Sequence, residues 1–336
     1  MKAAVVTAPN SPIVIEDRPI PQPKAGEVLI KVHACGVCHS DLMVLLGYFP
    51  FATYPRVPGH EVAGVVENVG EGVTWPKVGD RVGMQWLFSA CGHCDLCVRG
   101  EEVMCPFGTV TGVNQDGGYQ EYMIAPALYV APIPDALSFT DAAPLMCAGL
   151  TVFNGLRNAG FQPGQKVAVI GLGGLGHLGI LYAKAMGARV AVISGSPDKE
   201  EEARELGAEY FVNTRARKAA DALRDWDGGA DIILATAPSS ESATEAAPGL
   251  APDGTLVVLG VGPGNIHVSP MDLVGGRRKV MGSPSGGRKD IRATLNFSAH
   301  NHVVPRITEF PLEDAGKVLD LMHTGKLRNR GVLVFA

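Results

Sequence analysis

The run Val167-Ala168-Val169-Ile170-Gly171-Leu172-Gly173-Gly174-Leu175-Gly176 sets an apolar strand directly ahead of a G-x-G-x-x-G turn with one extra glycine. A helical pattern opens at Leu175 and continues to Met186, and a second apolar strand, Val190-Ala191-Val192-Ile193, follows at the spacing of a βαβ unit. Small residues there let the backbone turn tightly and come close to a pyrophosphate. The helix N-terminus adds free N–H groups and the positive end of its dipole. Gly171, Gly173, Gly174, Leu175 and Gly176 are therefore read as a dinucleotide-binding loop. The alternative is a glycine-rich turn of some other α/β protein, which the strand before the turn and the helix after it disfavour.

Strand and helix patterns keep alternating on the C-terminal side of this loop. Lys199 to Leu206 is helix-like, and Asp231-Ile232-Ile233-Leu234 and Thr255-Leu256-Val257-Val258-Leu259 are strand-like, which predicts a parallel α/β sheet. A helix over Asp290 to Phe297 and a last strand, Val332-Leu333-Val334-Phe335, follow. The first ~145 residues differ: short apolar runs such as Val28-Leu29-Ile30 and Val62-Ala63-Gly64-Val65-Val66 are broken by Gly and Pro, which predicts a mostly β domain. The length of 336 residues suits two domains at roughly 150 residues each. The longest apolar stretch, Val167 to Ala183, is interrupted by glycines and His177 and belongs to the dinucleotide unit, so no membrane span is expected.

Hydrophobic residues make up 46% and charged residues 19%, which excludes a disordered chain. A net charge of −5 argues against nucleic acid as the partner, because phosphate neutralisation needs basic clusters. Met1-Lys2 leads straight into Ala3-Ala4-Val5-Val6 with no apolar h-region, so a cytoplasmic location is expected. Thiols stay reduced there, and the seven cysteines read as metal ligands or a nucleophile before they read as disulfides.

Four of the cysteines, Cys91, Cys94, Cys97 and Cys105, form C-x2-C-x2-C-x7-C. Four thiolates in one loop suit a tetrahedral zinc with every position filled, hence a structural site; an iron–sulfur cluster is the competing reading. Cys35, Cys38 and His39, then His60, then Cys147 lie apart, and no spacing rule joins them. At the end of the second dinucleotide strand stand Ser194-Gly195-Ser196, followed by Lys199. NAD sites usually carry a carboxylate there; hydroxyls and a lysine favour the 2′-phosphate of NADP. Alternatively, Asp198 takes the ribose and the cofactor is NAD. Arg330 is offered to the pyrophosphate, or is simply a surface arginine.

Gly59-His60-Glu61-Val62-Ala63-Gly64, continuing to Gly70 and Val73, fits G-H-E-x2-G-x5-G-x2-V, and Gly36-Val37-Cys38-His39-Ser40-Asp41 fits G-[VI]-C-H-[TS]-D. With the cysteine lobe, the Cys147 segment and the glycine loop in the same order, the whole chain resembles the zinc-dependent alcohol dehydrogenases of the medium-chain dehydrogenase/reductase superfamily. The resemblance implies an α/β protein with a GroES-like, mostly β catalytic domain over residues 1–148. Its structural-zinc lobe would cover 91–105, a Rossmann doubly wound parallel sheet would span 149–285, and residues 286–336 would return to complete the catalytic domain. It implies that Cys38, His60 and Cys147 hold a catalytic zinc with one position left open, giving two zinc ions per chain. Asp41 would orient His60 and Glu61 would lie behind the metal. Ser40 would start proton removal, His39 would face the pyrophosphate and Thr151 the nicotinamide, and Phe49 and Trp86 would line the substrate pocket. Cys35 falls outside the matched pattern and is read as a buried thiol.

The implied reaction is reversible hydride transfer between a primary or secondary alcohol and NAD(P), giving an aldehyde or ketone, in a cleft between the domains. The zinc would act as a Lewis acid. A homodimer or homotetramer built through the nucleotide domains is also implied. Two departures stand out: Met43 occupies the place where relatives carry a relay histidine, and Ser194 replaces the usual carboxylate. The first alternative is an NADPH-dependent aldehyde reductase of the cinnamyl-alcohol type. The second, of another class, is a non-catalytic zinc- and nucleotide-binding sensor.

Overall fold

The computed structural model describes residues 1–335, which form two units: Met1–Leu150 together with the chain from Gly286 onward, and Thr151–Ser285. No helix among the described residues is long and apolar enough to cross a membrane.

The second unit carries a six-stranded parallel sheet. Its spatial order is Tyr210–Asn213, Arg189–Ser194, Lys166–Ile170, Ala230–Ala235, Leu250–Val258 and Lys279–Gly282. Numbered within the unit, this is 3-2-1-4-5-6, the Rossmann order. Val167–Val169 and Ile232–Leu234 are buried, as strands covered on both faces must be. The order reverses between Lys166–Ile170 and Ala230–Ala235, and the glycine loop leaves the sheet at that point. There Thr236 Oγ1 donates to the Ile170 carbonyl at 2.7 Å, pinning the two strand ends together. The helix after the loop runs Gly176–Ala185. The helix expected over 199–206 is shorter at both ends: Lys199 closes a 3-10 turn, Pro197–Lys199, and the α-helix runs Glu200–Glu205.

The first unit is built on a mostly antiparallel sheet of seven strands. The long strand Glu27–Gly36 pairs with Glu61–Val69 on one side, and with Tyr122–Pro126 and Arg330–Val334 along different parts of the other. Val28, Ile30, Val32, Val62, Val82, Met84, Met123 and Leu333 fill its core. The register sets Gly36 opposite both Glu61 and Val332. The chain that re-enters this unit at Gly286 therefore ends beside the Gly-His-Glu motif. It first forms a helix, Arg288–Asn301, longer at both ends than the Asp290–Phe297 expected from its pattern.

Candidate metal centre and dinucleotide loop

Two strand ends and one turn build the centre of the first unit. Gly36 closes its strand and Cys38 caps the helix His39–Leu45; His60 and Glu61 open the neighbouring strand. Cys147 lies on a π-helical turn, Leu145–Gly149, that follows Pro144. Gly83 makes room for this turn, since a Cβ there would fall 1.9 Å from the Met146 methyl. Gly36 does the same for Glu61, because a Cβ would sit 1.9 Å from its Oε2. The ligand atoms of Cys38, His60, Glu61 and Cys147 consequently lie within 4.8 Å of one another.

Electrostatics inside this cluster are those of a site made for a cation. His60 is 1% exposed. Its Nδ1 lies 2.9 Å from Asp41 Oδ1, whereas its buried Nε2 has no hydrogen-bond partner. Burial pushes the imidazole down, but Asp41 and Cys38 outweigh it and hold the ring well above its ordinary range. The hydrogen bond with Cys147 holds the Cys38 thiol well below its usual value, with His60 helping and burial opposing. The same bond, together with burial, pushes Cys147 up. One thiol of the pair thus ionises at the other's expense. An orphaned imidazole nitrogen beside two thiols is the donor set that zinc takes.

Glu61 and Arg330 close the floor. One guanidinium nitrogen of Arg330 spans both Glu61 carboxylate oxygens, and both residues are buried. Burial raises the Glu61 carboxyl to about 7 against the pull of Arg330. The surface alternative for Arg330 is thereby corrected: strand pairing with Glu27–Gly36 buries it beneath the Gly-His-Glu motif, where its Nη2 donates to Glu61.

His39 is exposed and Ser40 half-buried on the first turn of the helix capped by Cys38, and Met43 is half-buried one turn on. The Trp86 ring stands edge-on to His60 at 5.0 Å; Phe49 tilts against Trp86 at 5.6 Å and Phe51 against Phe49 at 5.4 Å. Cys35 is wholly buried, its sulfur lodged beside Gly59 and Gly118.

The second cysteine set also converges. The Cys91, Cys94, Cys97 and Cys105 sulfurs lie within 4.8 Å of one another, with Cys91–Cys97 and Cys94–Cys105 at 3.9 Å. The N–H groups of His93 and Cys94 draw the Cys91 thiol down to about 6, while burial pushes Cys97 up to about 12. Without a cation the quartet cannot hold four thiolates. Glu102, between the last two cysteines, accepts from the Arg288 backbone N–H at 2.7 Å and from its Nε at 2.8 and 2.9 Å.

In the second unit Gly171 has φ +90°, and a Cβ on Gly176 would sit 2.1 Å from the Gly171 carbonyl oxygen. Both glycines are therefore steric requirements of the loop. Gly173, Gly174 and Leu175 complete it, and Gly173 is exposed. Lys199 Nζ donates to the Leu172 carbonyl at 2.9 Å, which brings its charge to the loop. Ser194 Oγ accepts from Ser196 N at 3.1 Å, and Thr214 Oγ1 lies 3.3 Å from where a Cβ on Gly195 would stand. Asp198 is exposed on the turn that follows. Thr151 is buried on the helix Leu150–Asn158. Thr214 was not singled out from the sequence; its place one residue beyond the third strand could have suggested it.

A Rossmann sheet with an intact glycine turn, joined in one chain to a buried Cys-His-Cys centre, defines a zinc- and nicotinamide-dependent oxidoreductase. Residues 24–135 match the alcohol dehydrogenase GroES-like domain and residues 174–300 the zinc-binding dehydrogenase domain. An alcohol dehydrogenase of Geobacillus stearothermophilus is 42% identical over 334 residues, 99% of each chain. A cinnamyl alcohol dehydrogenase structure from Sorghum bicolor superposes with a TM-score of 0.92 at 31% identity, covering 99% of this chain and 97% of that one. The structure of CAD from Helicobacter pylori complexed with NADP(H) gives 0.89 at 28%, with the same coverage. The chain belongs to the zinc-dependent alcohol dehydrogenases of the medium-chain dehydrogenase/reductase superfamily: it is an NAD(P)-dependent oxidoreductase of alcohols and aldehydes.

Proposed function

We propose that Cys38, His60 and Cys147 hold the catalytic zinc, that Cys91, Cys94, Cys97 and Cys105 hold a second, structural one, and that NADP is the preferred cofactor. The observation that carries the first assignment is His60 Nε2, buried and unpartnered among two thiols. A zinc ion at that position supplies Lewis-acid polarisation of the alcohol or carbonyl oxygen. The nicotinamide supplies or accepts the hydride.

The chain's own residues do the rest. Asp41 fixes the His60 ring through Nδ1, leaving Nε2 for the metal. Ser40, two residues from Cys38, takes the alcohol proton. Met43 carries no exchangeable proton, so the proton leaves through His39 or through water. Gly171, Gly173, Gly174, Leu175 and Gly176 receive the pyrophosphate, with His39 facing it, and Thr151 contacts the nicotinamide.

Support for NADP comes from the end of the second Rossmann strand. Ser194, Gly195 and Ser196 stand there without a carboxylate, Lys199 lies over the loop, and any carboxylate for the ribose would have to come from exposed Asp198. The rings of Trp86, Phe49 and Phe51 step outward from His60, and Phe51 is 46% exposed. That series favours aryl and other bulky apolar alcohols over ethanol, and with it a second reading in which aldehyde reduction by NADPH is the working direction. A homodimer or homotetramer through the second unit completes the proposal; Met271, Val274 and Val280, exposed beside the sheet's Lys279–Gly282 edge, support it. Initial rates with benzaldehyde and with short and branched aldehydes test the reading. A kcat/KM at least tenfold higher with NADPH than with NADH is expected; a tenfold preference for NADH overturns the cofactor assignment.

A further inference from the structure

Asp41 is a buried carboxylate, 1% exposed, that takes four donors on two oxygens. Oδ1 faces His60 Nδ1 at 2.9 Å and accepts from the Gly59 N–H at 3.2 Å. Oδ2 accepts from the Cys38 N–H at 2.9 Å and from the hydroxyl of Tyr119 at 3.1 Å. Three of these groups belong to the two metal motifs or adjoin them in the chain. Tyr119 comes from a segment 78 residues away from Asp41 and is wholly buried.

We infer that Tyr119 is a positioning residue of the metal centre: its hydroxyl holds the Asp41 carboxylate that orients His60. This rests on the reading of Cys38, His60 and Cys147 as metal ligands.

The backbone is built to bring that hydroxyl in. Gly117 N donates to Val57 O at 2.8 Å, Gly118 N to Gly59 O at 2.8 Å and Tyr119 N to Pro58 O at 3.0 Å, so residues 117–119 lie directly on the loop preceding His60. Side chains would prevent this. A Cβ on Gly117 would fall 2.1 Å from the Gly59 carbonyl oxygen, and a Cβ on Gly59 would fall 2.4 Å from the Tyr119 ring. Gly59 also has φ +98°, which favours glycine on its own account. The glycine ahead of the histidine ligand and the pair ahead of the tyrosine thus serve one contact. A ring that only filled the core would need no hydroxyl. This one ends on the charged group behind a metal ligand, and partners in that position commonly alter metal affinity by about 10–100-fold.

Tyr119→Phe removes the oxygen and keeps the ring. A chelator is expected to withdraw zinc from the Cys38–His60–Cys147 site about tenfold faster than from the unaltered protein. Zinc in the four-cysteine lobe should leave at an unchanged rate, as an internal control. With cobalt in the catalytic site, the visible bands should shift, and kcat should fall by more than KM for the alcohol rises. In an Asp41→Asn background, Tyr119→Phe should add little, because both changes act through one carboxylate. Unchanged chelation and unchanged cobalt bands, or full additivity with Asp41→Asn, would overturn the inference while leaving the metal reading intact. An unaltered protein that keeps no metal at the site would overturn both. Should Tyr119→Phe fail to fold, the unaltered chain labelled with 3-fluorotyrosine decides: one fluorine resonance must move when the catalytic zinc is withdrawn, and a spectrum with none moving sinks the inference.

Discussion

Cys147 bears on the metal centre more directly than its place in the chain suggests. It is the one proposed ligand that does not flank a strand of the first sheet, and its turn is seated by Met146 filling the space that Gly83 leaves open. Cys147→Ala removes a sulfur donor without enlarging a core side chain. Turnover is expected to be lost while circular dichroism and the Kd for NADPH, read by fluorescence, stay as in the unaltered protein; surviving activity would refute the ligand set. The sequence exposed Cys38, His60 and Cys147 as separate features, and only the motifs around the first two tied them together. Tyr119 and the pairing of Arg330 with Glu61 stayed hidden for a physical reason. Their partners Asp41 and Glu61 lie 78 and 269 residues away, and loop-to-loop backbone hydrogen bonds make the first contact and strand pairing the second, neither being a local pattern. A buried arginine bridging a buried carboxylate reads, in one dimension, as an ordinary charge near a terminus.

Elements carried their message more openly, because period and turn chemistry are local. The strand Lys166–Ile170, the glycine turn and the helix Gly176–Ala185 fall where their residues place them, apart from a one-residue shift at the ends. The start of the helix Arg288–Asn301 shows what local pattern omits. That helix begins at Arg288 because Asp290 Oδ2 accepts the Gly287 N–H at 3.0 Å and Glu102 receives Arg288. The same Glu102 contact ties the four-cysteine lobe to the returning chain, with Arg288 also lying 4.8 Å over the Tyr129 ring. The lobe has little else of its own: a four-residue helix, Asp95–Val98, with no buried side chain, and a turn, Glu102–Met104, in which only Glu102 is buried. With the proposed structural zinc in place, its fold would depend on that metal. Cys97→Ala should abolish zinc binding in the lobe and lower the unfolding temperature by several degrees, since metal-binding free energy becomes folding free energy there. Equal thermal stability with and without that substitution, in a differential scanning calorimeter, would contradict a structural role.

At the scale of the whole molecule, the two proposed metal sites differ in what surrounds them, and their chemistry should separate accordingly. Both belong to the unit that the chain leaves after Leu150 and re-enters at Gly286. The proposed catalytic set adjoins the seven-stranded sheet, is floored by the Glu61–Arg330 pair and has two thiols and one imidazole. The lobe has four thiols and partial exposure. A three-ligand site keeps a position through which a chelator can attack, whereas a four-thiolate site must first give up a sulfur. Metal analysis of purified protein should return two zinc ions per chain. Extraction with a chelator should then run in two phases. In the first, about one zinc leaves, activity falls to nothing, and the unfolding temperature and NADPH affinity hold, because the glycine loop and its sheet lie in the other unit. In the second, the remaining zinc leaves and the first unit loses stability. One zinc per chain, or activity and stability falling together in a single phase, would mean that the Cys-His-Cys centre and the cysteine lobe do not divide the work as their ligands imply.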